Sequence, residues 1–246
     1  MHFNIQYFAS VDSTNLEAMR QAESGAKEGL VIIAQEQTAG KGRLGRKWHT
    51  VEHALAMTVL LRPHIAAADV PKLSLLTAVA LHQALSTFTP DIRIKWPNDL
   101  LIHGAKVSGI LTEMRCRQGQ VKAVILGMGI NISAPQHGWP QDINQPATDL
   151  QSASQNKVEQ ADVVQAILSS LEQWYTRFLH EGFAPVRQAW WAAHVASQQQ
   201  VSVSDGQHYI QGTAIGLADD GALRLLVNGQ ERLIIAGDVS LLDGKS

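Results

Sequence analysis

The sequence contains very little cysteine and no long apolar run. Its single cysteine, Cys116, excludes an intramolecular disulfide framework and is typical of a reducing compartment. No apolar run approaches the roughly 18 residues that a membrane span requires. The N-terminal stretch MHFNIQYFAS lacks the basic and apolar segments of a secretory signal. These absences predict a cytoplasmic protein that has no membrane partner.

An excess of charge of one sign is missing as well. The 246 residues include 20 Lys and Arg against 22 Asp and Glu, a net charge of −2, whereas a bulk nucleic-acid binder needs a broad basic face. The 10 histidines are scattered, and none stands in the spacing of a zinc site, so we predict no zinc. A chain of this length forms one sizeable domain, or one domain and a smaller one.

The apolar patterns alternate between the periods of strands and helices, which predicts an α+β protein. Strands are predicted at residues 2–8, 29–37, 53–63, 91–96 and 120–133, with a hairpin at 99–115, and helices at 12–25, 71–88, 161–182 and 184–197. A capping box of Thr14 and Glu17 is expected to start the first helix, and Gly25 to end it. Residues 134–149, which are rich in Pro, Gln and Asp, are expected to form a long loop.

The composition changes near residue 199. Three glutamines at 198–200 precede short strand-like runs that are separated by DG, DDG and NG turns, and such turns are strong hairpin signals. About 46 residues of this kind fit a small β-barrel or sandwich. We therefore predict two domains, residues 1–198 and residues 199–246.

The stretch GKGRLGRKW, residues 40–48, concentrates four cations and three glycines. Its glycine spacing matches a dinucleotide fingerprint, but a strand rather than a helix is predicted to follow, and a P-loop would need Lys and Ser or Thr where Arg46 and Lys47 stand. A kinase glycine loop would need HRD and DFG partners, which the chain lacks. Glycines let backbone N–H groups approach an anion, and four cations suit a polyphosphate. A solvated basic turn is the alternative.

The segment KWPNDL, residues 95–100, carries a second set of candidate groups. Lys95 and Trp96 end a predicted strand, and Pro97 stops it. Asn98 and Asp99 then form a fair pair of Mg²⁺ ligands for a nucleotide site. A Pro-Asn-Asp turn without a ligand is the alternative, because this composition is common in turns.

Lys106 and Asn131 are the remaining candidates. Lys106 is a candidate for a charge that faces a ligand, and the nearby Gly109 would let the backbone approach that ligand closely. The alternative is a lysine that is simply exposed on a strand. Asn131 lies in the apolar run GMGIN and must be hydrogen-bonded if it is buried, either to the protein or to a ligand.

In this combination and order, the segments resemble those of the biotin protein ligases, also called biotin–[acetyl-CoA-carboxylase] ligases. The resemblance runs from VDSTN to GDVSLL and so covers nearly the whole chain. The family's GRGRxGR motif reads GKGRLGR here, and its KWPND motif is intact. The resemblance implies a mixed β-sheet flanked by helices, of the class II synthetase type, and a small C-terminal SH3-like β-barrel.

The resemblance implies an ATP-dependent ligase that acts in two steps. The biotin carboxylate attacks the α-phosphate of ATP, which gives biotinyl-5′-AMP and pyrophosphate. A lysine of a biotin carboxyl carrier protein then attacks this anhydride and releases AMP. Both nucleophiles come from substrates, which agrees with the lack of an evident Ser–His–Asp or Cys–His arrangement. Biotin, ATP and Mg²⁺ are the expected ligands, and a homodimer is one expected state.

Carried over by position, the resemblance assigns roles to individual residues. The catalytic roles fall to Lys106, Arg43 and Asp99. Biotin is expected to contact Ser13, Thr14, Asn15, Gln37, Gly40, Lys41, Arg43, Lys106 and Gly109. The nucleotide is expected to contact Arg43, Arg46, Trp48, Lys95, Asn98 and Asn131. Mg²⁺ is expected at Asn98 and Asp99.

Two other functions remain open at this point. A lipoate or octanoate ligase of the same superfamily would carry a loop resembling RRxSGGGxVxHD, which is absent, and Cys116 lies in a polar stretch without a neighbouring histidine. A non-catalytic biotin sensor would not need the intact Lys106, Asp99 and Arg43. Some family members begin with a DNA-binding segment, but here the catalytic-type sequence starts close to Met1, so we expect no DNA binding.

Lys41 stands where the family often has arginine. Lysine keeps the charge but loses the forked donor of a guanidinium. If this position closes the loop over the adenylate, Lys41→Arg should lengthen the half-life of bound biotinyl-5′-AMP. Release of preformed adenylate from the two proteins measures this, and an unchanged half-life would contradict the hypothesis.

Overall fold

The protein consists of two β-sheets and the helices that cover the larger one. The computed structural model describes residues 1–143, 145–204 and 208–242. Its α-helices are α1 (Thr14–Glu23), α2 (Val70–Leu85), α3 (Leu150–Ala153), α4 (Gln160–Glu181) and α5 (Ala184–Ala193). The four predicted helices correspond to α1, α2, α4 and α5, and the α+β class is confirmed. Among the described residues, no helix is both long and apolar enough to cross a membrane.

Within those ranges, seven strands form the larger sheet in the order β1-β2-β3-β7-β6-β5-β4. The strands are β1 (Asn4–Val11), β2 (Leu30–Gln37), β3 (Ala54–Leu61), β4 (Ile92–Lys95), β5 (Asp99–Ile102), β6 (Ala105–Arg117) and β7 (Gln120–Asn131). β1 and β2 are parallel, and the other neighbours are antiparallel, so the sheet is mixed as predicted. The predicted hairpin is present, and β5 and β6 turn at His103 and Gly104.

Helices cover both faces of this sheet, which explains why β3 and most of β7 lack exposed residues. All eight residues of β3 are buried. Leu55 and Met57 pack with α2, α4 and α5 in the main core. On the opposite face, Leu60 packs with Ala18 and Ala22 of α1. A strand buried on both faces loses the alternation of apolar and polar residues, and the strands that carry the candidate site are held between two helix layers.

The start of α1 differs from the predicted capping box. Thr14 is the first helical residue and Ser13 is the N-cap, without a side-chain capping bond. The Thr14 backbone N–H donates instead to the side-chain carbonyl of Gln37 at 2.8 Å. The predicted pairing of Thr14 with Glu17 is therefore wrong, because a side chain from β2 supplies the acceptor that a capping box supplies locally. Gly25 follows the helix with φ 93°, as predicted.

The described C-terminal residues form a five-stranded antiparallel sheet in the order β11-β10-β9-β8-β12. Its strands are β8 (Gln200–Ser204), β9 (Tyr209–Leu217), β10 (Leu223–Val227), β11 (Gln230–Ile234) and β12 (Asp238–Leu241). The NG turn is confirmed, with Asn228 and Gly229 both at positive φ. The DG turn predicted at residues 205–206 lies outside the described residues. Among the described residues, β11 and β12 are not paired, so the sheet is open and the SH3-like barrel is not closed.

The C-terminal sheet packs on the larger unit through a continuous core. Its buried side chains belong to the same apolar cluster as those of α2, α4 and α5. At the junction, the indole N–H of Trp96 lies 3.5 Å from the carbonyl oxygen of Gly221. Arg187 of α5 pairs with Asp219 nearby. The tryptophan of the KWPND segment therefore lies at the junction of the two sheets.

His194 is buried where α5 ends beside β4. Its Nδ1 lies 2.9 Å from the carbonyl oxygen of Ile94, and its ring stacks on Trp190 with centroids 4.6 Å apart. The residue is 4% exposed, and burial lowers its pKa to about 4. His194 is therefore neutral at pH 7, and its Nδ1–H donates to Ile94.

We expect His194 to make the stability of the fold depend on pH. An unfolded histidine has a pKa of about 6.5, so the unfolded chain binds more protons below that pH. The free energy of unfolding therefore falls as the pH drops from about 6.5 toward 4, by about 3 kcal/mol at the limit. Urea denaturation near neutral pH and near pH 4 of wild type and His194→Asn measures this. Wild type should lose more stability on acidification than the variant, and equal losses would contradict the expectation.

Candidate functional site

A cavity of about 590 Å³ lies over strands β6 and β7, between the glycine-rich loop and residues 133–149. The structure brings every residue predicted for the site to its wall except Gly40. These residues come from the start of α1, the end of β2, the glycine-rich loop, the β4–β5 turn, β6 and the end of β7. Segments far apart in the sequence therefore converge on a single cavity.

Gly40 holds the glycine-rich loop closed and lies outside the cavity wall. The Trp48 N–H donates to the carbonyl oxygen of Gly40 at 3.0 Å, and Lys41 forms an antiparallel bridge with Lys47. A Cβ at position 40 would lie 2.5 Å from the carbonyl oxygen of Trp48. A larger residue would force the two arms of the loop apart, so glycine is required here for close approach.

Two arginines of this loop are held in different ways. Arg43 is partly buried, which lowers its pKa, and its Nη1 donates to the side-chain oxygen of Asn98 at 3.2 Å. Arg46 pairs with Asp238 of β12, and this hydrogen bond raises the pKa of Arg46. The neutral Asn98 does not balance the charge of Arg43. Arg43 is therefore a partly buried cation arranged to meet an anion.

One end of the cavity is lined by neutral polar side chains, and Glu113 supports them from outside the cavity wall. The Thr14 hydroxyl donates to Gln37 Oε1 at 3.0 Å, and the buried Thr58 hydroxyl lies 2.8 Å from the Thr14 hydroxyl and 2.7 Å from Asn15 Oδ1. Asn15 Nδ2 donates to Glu113 Oε2 at 2.8 Å. This end offers hydrogen-bond donors and acceptors in fixed orientations, as recognition of a polar, uncharged group requires.

Glycines form the floor of the cavity where β6 and β7 pair. A Cβ at Gly129 would lie 2.3 Å from the Trp48 ring, and a Cβ at Gly127 would lie 2.2 Å from Asn15 Oδ1. The glycines therefore let Trp48 and Asn15 lie directly on the sheet. The indole Nε1 of Trp48 is buried and has no partner among the described residues, so a ligand is a candidate partner for it.

Lys106 and Asp99 meet at the other end of the cavity. Lys106 Nζ lies 2.7 Å from Asp99 Oδ1. The pairing of β5 with β6 shifts by one residue between Leu100 and Leu101, so that Leu101 faces Lys106 and Val107 is the extra residue. Because side chains alternate along a strand, this bulge turns Lys106 to the face that carries Asp99.

The cavity wall carries more positive than negative charge. Among the described residues that line it, the cations are Lys41, Arg43, Arg46, Lys47, Lys95 and Lys106, and the carboxylates are Asp99, Asp142 and Asp238. A cation about 4 Å from a phosphate charge gains about 4 kcal/mol gross at an effective dielectric constant near 20. Six cations against three carboxylates therefore suit a polyphosphate.

The residues predicted for Mg²⁺ do not form a metal cage of protein groups. Among the described residues, no group of three His, Cys, Asp or Glu side chains could hold a metal ion. Asn98 Oδ1 accepts from Arg43, and the two Asp99 oxygens contact Lys106 and Gln145. One carboxylate beside a phosphate site fits a Mg²⁺ ion that arrives on the phosphates and keeps most of its water.

Asn131 is buried at the end of β7 and holds the loop of residues 133–149. Its Nδ2 donates to the carbonyl oxygen of Thr148 at 2.9 Å and lies 3.4 Å from that of Lys106. The protein bond, one of the two alternatives for Asn131, is therefore present, and Asn131 also lines the cavity, where contact with a ligand stays a prediction.

Several residues of the site were not predicted from the sequence. Thr58 had a usable signal, because it is a polar residue inside the apolar run ALAMTVLL. Asp142 and Gln145 lie in residues 133–149, where no periodic pattern marks which side chains turn inward. His49 Nε2 lies 3.2 Å from Asp142 Oδ2 and connects the two loops on either side of the cavity.

Comparison with known sequences finds related proteins over nearly the whole chain. The family model described as "Biotin/lipoate A/B protein ligase family" matches residues 7–131, and the model described as "Biotin protein ligase C terminal domain" matches residues 197–242. The bifunctional ligase/repressor BirA of Bacillus subtilis is 36% identical over 239 residues, which cover 96% of this chain and 73% of that protein. The biotin–[acetyl-CoA-carboxylase] ligase of Paracoccus denitrificans is 33% identical over 235 residues, which cover 94% and 98%.

Comparison with solved structures agrees. A biotin protein ligase from Aquifex aeolicus in complex with biotin and ATP has a TM-score of 0.81 at 28% identity, over 97% of this chain and 98% of that one. The biotin protein ligase of Leishmania major in complex with biotin has a TM-score of 0.64 at 24% identity, over 95% and 98%, which supports the fold.

Replacement of Arg43 should affect the binding of ATP more than the binding of biotin. We expect Arg43→Ala to weaken ATP binding by about tenfold, because it removes a partly buried cation, and to weaken biotin binding much less. Calorimetric titration with each ligand measures this. Arg117→Ala, which removes an exposed arginine at the far end of β6, is the matched control. A larger loss for biotin than for ATP would remove Arg43 from this role.

Proposed function

Because the chain belongs to the biotin/lipoate A/B protein ligase family, we propose that it is an ATP-dependent biotin ligase. It joins biotin to AMP and then transfers the biotinyl group to a lysine of a biotin carboxyl carrier protein. The division of the cavity carries this proposal, since neutral polar groups lie at one end and concentrated cations at the other. A substrate with a polar uncharged ring system and a carboxylate, bound beside a triphosphate, matches both ends.

The first step forms a mixed anhydride. A carboxylate oxygen of biotin attacks the α-phosphorus of ATP, the bond from that phosphorus to the bridging oxygen breaks, and pyrophosphate leaves with the electron pair. In the second step the neutral amine of the carrier lysine attacks the biotinyl carbonyl. AMP leaves, and the new amide nitrogen releases a proton. Both nucleophiles belong to substrates, so the protein acts by positioning and by charge stabilisation.

Lys106 and Arg43 supply the charge for the first step. Lys106 Nζ, 2.7 Å from Asp99, is held over the cavity by a carboxylate that a substrate anion can replace. Arg43 lies on the facing loop with a neutral partner. These two cations, from different segments of the cavity wall, stabilise the negative charge that develops on the α-phosphate and help to bring two anionic reactants together.

The neutral network favours biotin over lipoate or octanoate. A ureido group carries two N–H donors and a carbonyl acceptor, which Thr14, Asn15 and Gln37 are able to satisfy. An alkyl chain or dithiolane would leave these groups unpaired, and sites built on hydrogen bonds reject such analogues strongly. Cys116, the residue that an acyl transfer through cysteine would need, is exposed and does not line the cavity.

Mg²⁺ is proposed as part of the nucleotide substrate. It would arrive on the phosphates of ATP, where Asp99 is the neighbouring carboxylate and Asn98 the neighbouring amide. The ion would neutralise phosphate charge next to Lys106 and Arg43.

The division of the chain into two domains is part of the same proposal. Residues 1–198 form the catalytic domain and residues 199–246 a C-terminal domain, which contributes Asp238 and Ser240 to the cavity wall. The carrier protein, the cytoplasmic location, the homodimer and the lack of a DNA or membrane partner remain predictions from the sequence.

Replacement of Lys106 tests the proposed chemistry. We expect Lys106→Ala to lower biotin-dependent exchange of pyrophosphate into ATP by at least about a hundredfold, because it removes a charge that stabilises the transition state. Lys122→Ala, which removes an exposed lysine of β7, is the matched control. Thermal unfolding of both variants checks that the fold is intact. Wild-type exchange in a folded Lys106→Ala protein would refute the role.

A further inference from the structure

Gln145 lies in the cavity wall at its charged end, where its side chain contacts Lys95 and Asp99. We propose that it is a positioning residue for adenylate formation, whose amide stands between Lys95 and Asp99 and keeps Lys95 available to the phosphates of ATP. This inference rests on the proposed function and adds a residue to the charged end of the proposed active site.

Lys95 and Asp99 are direct partners across the β4–β5 hairpin. Opposite charges at paired positions of antiparallel strands attract each other and are close enough to interact. Among the described residues, however, Lys95 and Asp99 form no ion pair, and Asp99 pairs with Lys106 at 2.7 Å. Each of the two side chains instead contacts Gln145.

The side-chain amide of Gln145 makes both contacts. Its Nε2 donates to Asp99 Oδ2 at 3.0 Å, and its Oε1 accepts from Lys95 Nζ at 3.3 Å. An amide carries a donor and an acceptor at its two ends, so one side chain satisfies a carboxylate and an ammonium at once. It is neutral, so it leaves the charge of Lys95 unbalanced and free to attract phosphate.

Backbone contacts fix Gln145 next to Lys106. The Lys106 N–H donates to the carbonyl oxygen of Pro146 at 2.8 Å, and the Thr148 N–H donates to that of Lys106 at 2.9 Å. Asn131 donates to the carbonyl oxygen of Thr148 at 2.9 Å. The segment after Gln145 is thus a short parallel extension of the sheet. Its register places Gln145 at the β4–β5 turn.

Without the amide, the two charges should collapse onto each other. Lys95 would approach Asp99, compete with Lys106 for the same carboxylate and lose its attraction for phosphate. The loss concerns the nucleotide and leaves the neutral network at the biotin end unchanged. Gln145→Ala should therefore lower the affinity for ATP and leave the affinity for biotin unchanged.

The first test is a comparison of two glutamines in the same loop. Gln145→Ala should raise the dissociation constant and the KM for MgATP by about tenfold, with kcat lowered by less than about threefold and biotin affinity unchanged. Gln141→Ala is the matched control, since Gln141 is exposed and lies outside the cavity wall. Calorimetry gives the affinities, and pyrophosphate exchange gives KM and kcat.

The second test replaces the amide with a carboxylate. In Gln145→Glu, the carboxylate would neutralise Lys95 and has no donor for Asp99. ATP affinity should therefore fall at least as far as in Gln145→Ala, with biotin affinity unchanged. A role in loop structure alone would not confine the loss to ATP.

The outcomes distinguish this inference from the proposed function. Wild-type ATP affinity in Gln145→Ala or in Gln145→Glu overturns the role of Gln145 even if wild-type exchange with biotin is normal. The ATP titration does not require biotin. If wild type shows no biotin-dependent exchange but Gln145→Ala still loses ATP affinity, the proposed function fails and the role of Gln145 is supported.

Discussion

The ion pair between Lys106 and Asp99 is the contact on which the candidate site depends. It exists because a bulge in the β5–β6 pairing turns Lys106 to the same face as Asp99. The same face carries Gly109, whose missing side chain leaves room for the lysine stem and for Trp48. A regular hairpin would direct Lys106 to the opposite face, away from the glycine-rich loop. One extra residue in β6 thus decides whether the charged end of the cavity forms.

The rest of the structure holds charges of the same sign close together without neutralising all of them. Arg46 is paired with Asp238 of the C-terminal sheet, Lys106 with Asp99, and Arg43 faces the neutral Asn98. The C-terminal sheet therefore contributes to the site through a counter-charge, and Trp96 helps to join the two sheets. Each carboxylate that pairs with one of these cations also lowers the attraction of the site for phosphate.

The sequence was most informative where a residue type has few roles. The glycine-rich loop, the KWPND segment, Lys106 and Asn131 were candidates from their residue types, and the resemblance to a known family gave them roles. The structure brings them together. The α+β class and the four helices followed from periodicity, and the mixed sheet followed from the resemblance to a known family. The features that were predicted wrongly or missed are those that a segment distant in the sequence determines. The capping box failed because Gln37 from β2 replaces it, and residues 133–149 carry no pattern that marks which side chains face the cavity.

Other features could not be read from one sequence because they depend on register. The bulge at Val107 changes no residue type, and Glu113 contacts Asn15 only after α1 docks on the sheet. Gly40 was expected to border biotin, but its lack of a side chain serves the closure of the loop. Spacing along the chain identifies candidates, whereas strand pairing decides which face they occupy.

Exchange of labelled pyrophosphate into ATP in the presence of Mg²⁺, with biotin, lipoate and octanoate in parallel, distinguishes the possible substrates. We expect exchange with biotin and little with the other two acids, because the neutral polar side chains at one end of the cavity require a ligand that hydrogen-bonds. Exchange with lipoate or octanoate but not with biotin would contradict this expectation. Absence of exchange with all three acids, while biotin still binds, would contradict the catalytic role of the charged end.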